Sequence, residues 1–150
     1  MRYITRDDLN TDSFDRFIQE STGDITNTLD KTEERAIAIT ATYLSAYDTD
    51  SVFGIPIDPE EEDSEYTPGI RHELLVEIIS KITLHKIFSR NAARKVPEDI
   101  KEAYNWAMNE LRRIQSGATP LKGLPPALDE EGTPVSNSMW GNNTNTDFYI

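Results

Sequence analysis

Asp48 and Asp50 stand two residues apart, Gly54 follows, and six acids crowd between Asp58 and Glu65, so oxygen donors are dense here. A calcium loop of the EF-hand kind needs oxygen ligands at positions 1, 3 and 5, glycine at 6 and glutamate at 12. Counted from Asp48, positions 5, 6 and 12 hold Val52, Phe53 and Pro59, so the spacing fails. The chemistry left to the aspartates is backbone capping: Asp48 or Asp50 caps the turn that follows a tyrosine-rich helix end. The acids of 58–65 lie in a proline-bounded loop, whereas carboxylates that share an ion converge from helix positions three or four apart.

Other chemistry fares no better. His72 and His85 are the only histidines, and thirteen residues apart on one helix they point in different directions. There is no cysteine, no G-x-S-x-G context and no glycine-rich phosphate loop. The expectation is a protein that is not an enzyme, with no catalytic residues, no metal ligands and no cofactor.

Charge narrows the partners. The net charge of −12 is uneven: residues 1–66 sum to −12, residues 67–117 to +3 and residues 118–150 to −3. Such acidity argues against a protein that grips nucleic acid by its phosphates. An acidic half followed by a basic one suits sideways packing of identical copies, although solvated helix faces would look the same. "MRYITRDDLN" is too polar for a signal peptide, and no apolar run reaches the roughly 18 residues of a membrane span. The expectation is a soluble chain made in a cytoplasm, with no membrane partner.

The elements that would position these groups are helical. Thr5 with Asp7 and Asp8 marks a short helix start, and Phe14, Phe17 and Ile18 put a second short helix over about 12–20. Asp30 and Glu33 have capping-box spacing, and Ile37, Thr40, Ala41, Leu44 and Tyr47 follow at helical intervals. Residues 54–69 read as a loop. Nine of the fifteen residues from Leu74 to Phe88 are large and apolar, so this central helix should be covered on more than one side. Pro97 suits a first helical turn, Ile100, Ala103, Tyr104, Ala107, Leu111 and Ile114 form one face, and Gly117 caps the end. Trp106 lies off that face, at an edge of the core or at a contact with another subunit.

The fold expected is all-α: a small four-helix bundle over 1–117, with two longer central helices, shorter N-terminal ones and the acidic loop. Residues 118–150 read as an extended, Pro/Gly/Asn-rich C-terminal arm, either one whose Met139, Trp140, Phe148, Tyr149 and Ile150 are anchors for a partner or a simple disordered tail.

"RYITRDDL" (2–9), "AIAITATYLSAYDTDSVFG", "RHELLVEIISKITLHKIFSR" and "VPEDIKEAYNWAMNELRRIQSG", in this order, resemble the small helical head–tail connector proteins of tailed bacteriophages. These are also called adaptor or head-completion proteins, and the likeness includes the Mu-like phage group. It covers residues 2–123; the acidic run 58–65 and the tail after Leu124 depart from it. The resemblance implies a virion structural protein at the head–tail junction: a ring of twelve copies under the portal that joins capsid to tail and helps retain packaged DNA. The implied partners are the portal protein, other copies of the chain and a downstream neck or tail protein, with DNA only passing through the channel. From the residues themselves, portal binding is expected of the five arm anchors, and lateral contact of Lys81, Lys86, Arg90, Arg94 and Lys95 against the acidic loop or the first helices. The alternative reading is a small acidic regulatory or inhibitory protein that binds a basic partner.

Overall fold

The computed structural model describes residues 2–9, 25–56, 67–90 and 95–135. The expected helix at 12–20, the run 58–65, Arg94 and the five arm anchors lie outside them. Within the described residues the chain is mainly α: five helices and one two-stranded sheet. They are α1 (Arg6–Leu9), α2 (Ile25–Tyr43), α3 (Thr49–Phe53), β1 (Gly54–Ile55), β2 (Thr67–Pro68), α4 (Glu73–Ser89) and α5 (Glu98–Gln115).

Helix α4 is the hub. Leu75, Val76, Ile78, Ile79, Ile82, Leu84 and Ile87 are all buried on it, because α5, α2 and α1 each pack against it. A helix with apolar residues most of the way round is stable only when neighbours cover several sides, and here they do. Helix α5 is one-sided, burying Ile100, Ala107, Leu111 and Ile114. Gly117 follows its last turn with φ +77°, the left-handed position that ends helices without a Cβ clash. Pro97 stands one residue earlier than its sequence reading, as the N-cap.

Helix α2 departs from expectation at its start. It begins at Ile25, so Asp30 is inside the helix and the Asp30–Glu33 capping box does not form. The Glu33 carboxylate instead leaves the helix for the N-terminal segment. Its Oε2 accepts the Arg2 N–H (2.7 Å), and its Oε1 accepts those of Tyr3 and Ile4 (2.8 Å each). Glu33 is 1% exposed. Capping boxes and such long-range anchors use one chemistry, a carboxylate on backbone N–H groups, so local spacing cannot separate them. The capping read for α1 does form: the Thr5 N–H and hydroxyl both donate to Asp8, and the Asp8 N–H returns to Thr5 Oγ1.

Two further features lay outside the sequence reading. The ends of the 54–69 loop are pinned together, since β1 and β2 pair antiparallel, Gly54 opposite Pro68. A Cβ on Gly69 would lie 2.3 Å from the Val52 carbonyl oxygen, so only glycine fits the approach. The stretch after Gly117, expected as an extended arm, is laid against the body for its first part. Leu121 is buried in the core, the Asp48 N–H donates to the Pro125 carbonyl (3.0 Å), and the Ala127 N–H donates to that of Ala46 (2.9 Å). Beyond this the chain turns back around Asp129, whose carboxylate accepts the Glu131 and Thr133 N–H groups.

Two substitutions test these constraints. Glu33→Gln puts an amide NH₂ and only one acceptor among three donors, and should lower unfolding free energy by about 2–4 kcal/mol in urea titrations. Gly69→Ala should cost at least about 2 kcal/mol by the same measurement, because backbone must move to admit the methyl group.

Candidate functional site

The Asp48 turn is the first candidate, and its geometry is that of a cap. Asp48 Oδ1 accepts the N–H groups of Asp50 (3.2 Å) and Ser51 (3.3 Å), and Oδ2 accepts the Ser51 hydroxyl (2.6 Å). The Ser51 hydroxyl, then its N–H, hold the Asp48 carboxyl below its usual range. The neighbouring Tyr47 is half-buried against the core, and its phenol oxygen accepts the Leu121 N–H (2.8 Å). Among the described residues, no group of three or more His, Cys, Asp or Glu is placed to hold a metal ion.

A second knot of polar groups surrounds Tyr3. Its ring meets that of Phe53 edge-on at 5.2 Å, its hydroxyl donates to the Ile70 carbonyl (3.1 Å), and the same oxygen accepts the His72 N–H (3.1 Å). Arg2 Nη1 donates to the Gly54 carbonyl (3.1 Å). Arg71 reaches the Tyr3 carbonyl (3.3 Å) and pairs with Asp8 (2.8 Å). Burial pushes the Asp8 carboxyl up, but the Thr5 donors and the Arg71 guanidinium outweigh it, leaving it below its usual value. The Tyr3, Arg2, Arg71 and Asp8 side chains thus each bond to backbone or to another side chain of the knot, so the arrangement locks the entry to α4.

The two histidines are separated as expected. His72 is the N-cap residue of α4, and His85 stacks on Tyr104 with ring centroids 4.1 Å apart. Burial, with Lys86 and Lys101 nearby, lowers the His85 pKa.

Of the basic residues read as one lateral surface, Lys81 does not share a face with Lys86 and Arg90. At 100° per residue, the nine steps from Lys81 to Arg90 turn half a circle. Lys81 pairs with Glu77 and lies 4.6 Å from the centroid of the Trp106 ring. Lys86 lies only 40° from Arg90, and Arg90 and Lys95 are exposed at the corner between α4 and α5. What the sequence reading missed is the groove on the Lys81 side, of about 610 Å³, lined by α4, α5 and Asp8. Its signal was present in outline, because Glu73, Glu77, Ser80 and Leu84 recur at i, i+4, i+7 and i+11.

Asp48→Ala should lower stability by about 1 kcal/mol, read from urea unfolding. The pH response follows from the signs. Asp8 and Asp48 have folded pKa values below their unfolded ones, so their contributions are complete above about pH 4 and disappear as pH falls through the folded values. His85 is also lowered, and its contribution is present above about pH 6.5 and lost on acidification. Stability measured from pH 7.5 downward should therefore fall in two stages, and His85→Phe should remove the first.

No known protein family matches the chain, and no characterised protein or solved structure shows significant similarity to it.

Proposed function

We propose that this chain is a virion structural protein of the bacteriophage head–tail connector. On this reading its body is a small four-helix bundle. Twelve copies stand as a ring beneath the portal, join capsid to tail, help retain packaged DNA and offer a surface to the next neck or tail protein. The observation that carries the reading is where the resembling stretches lie. "RYITRDDL" and "AIAITATYLSAYDTDSVFG" are far apart in sequence, yet Tyr3 meets Phe53 and Arg2 meets Gly54. A pattern kept for one architecture would be expected to join residues that touch.

The chemistry of the ordered polar groups agrees. Glu33, Tyr3, Tyr47 and Asp48 all bond backbone N–H or C=O groups, which is the work of holding shape. A negative subunit also suits the wall of a channel through which DNA passes without sticking. Portal binding is assigned to Met139, Trp140, Phe148, Tyr149 and Ile150, and the protein to the virion.

Two measurements test this. Mass spectrometry of purified particles should find the chain in about equal amount to the portal protein; absence from particles would favour the acidic-regulator reading. Deletion of residues 136–150 should abolish co-sedimentation with portal, with circular dichroism to verify that the body stays folded. Cutting at 125 would be a poorer test, since it removes the Pro125 and Ala127 bonds to the body. Unchanged portal binding after the 136–150 deletion would overturn the arm assignment.

A further inference from the structure

The groove between α4 and α5 has an apolar floor, with Val76, Leu84, Ile100 and Ala103 among its lining. Among the described residues, four carboxylates also line it, Asp8, Glu73, Glu77 and Asp99, against the single ammonium of Lys81. Asp8 is engaged by Arg71 and Glu77 by Lys81. Glu73 has only a 3.6 Å approach to Arg71 and is 85% exposed, and Asp99 has no ion pair among the described residues. The groove thus keeps unspent negative charge at its rim.

Ser80 adds an independent sign. It lines the groove, is 5% exposed, and its hydroxyl has no hydrogen-bond partner among the described residues. A hydroxyl left open at the wall of a cleft can be met by a molecule that enters it, whereas the equally open Thr83 hydroxyl lies wholly inside the body. Trp106, 37% exposed and stacked under Lys81 at the groove's edge, is the residue type that dominates binding energy at interfaces.

The complementary surface is on the same molecule. Arg90 and Lys95 are exposed at the α4–α5 corner, and neither side chain makes an ion pair among the described residues. Arg90 points half a turn away from Lys81, so this corner cannot enter its own groove. The tail 136–150 is a weaker occupant, because it carries Asp147 and no base. We infer that the α4–α5 groove of one copy receives the Arg90–Lys95 corner of the next copy. This rests on the connector reading, for which it supplies the acidic half of the lateral contact. The two patches differ, so the contact is head-to-tail, the kind that closes into a ring or propagates as a filament.

Sedimentation velocity on the full chain tests it without any portal, so its failure is distinct from failure of the connector reading. The wild-type chain at about 0.5–1 mM in low salt should self-associate, and about 0.5 M salt should weaken this at least tenfold. Glu73→Lys/Asp99→Lys and Arg90→Glu/Lys95→Glu should each be monomeric, and an equimolar mixture of the two should associate again. Ala103→Phe, which fills the floor without changing charge, should also be monomeric. Circular dichroism melts would verify folding, and either charge set suffices if the other fails to fold. A wild-type chain that stays monomeric, charge variants that associate as wild type does, or a mixture that stays dissociated would each overturn the inference.

Discussion

A buried carboxylate holds the molecule's entry in place. Taking Glu33 out of water costs several kcal/mol unless its oxygens are satisfied, and the three N–H groups of residues 2–4 satisfy them. The bargain runs both ways: those N–H groups belong to a segment with no strand partner among the described residues, and they need acceptors when buried. The N-terminal segment is therefore fixed against α2 by an interaction that neither could make alone.

From that anchor the rest of the polar framework follows in order. Holding Tyr3 places its ring on Phe53 and its hydroxyl between Ile70 and His72, which sets where α4 begins. Gly54 and Gly69 let the two ends of the acidic loop approach closely enough to pair, so the loop leaves and rejoins the body at one point. At the other end of α3, Tyr47 and Asp48 hold the chain after Gly117, with Leu121 as the apolar plug. Stability thus combines an aliphatic core around α4 with side-chain bonds that tie irregular segments onto it.

This distribution bears on function. Glu33, Tyr3, Tyr47 and Asp48 are directed at backbone, the hydroxyls of Ser80 and Thr83 are buried without a partner among the described residues, and Glu73, Asp99, Trp106, Arg90 and Lys95 are exposed on the outside. A surface with separate acidic-apolar and basic patches is suited to meeting copies of itself or another protein. That is the physical content of the connector reading.

By itself the sequence determined the helices that packing periodicity controls. The apolar density of 74–88 required cover on several sides, and the one-sided spacing of 100–114 required a surface helix; both follow from residue order alone. It also determined the Thr5 cap and narrowed the second cap to Asp48 or Asp50, because those bonds span only two or three residues. Tertiary structure alone decided where Glu33 points, since a carboxylate serves a neighbouring turn or a distant strand with equal chemistry. It alone decided that 118–128 lies on the body, because Leu121 and Leu124 sit among prolines and glycines with no period to betray their burial. The groove, too, exists only once α4 and α5 are side by side, since its rim collects residues from both helices and from α1.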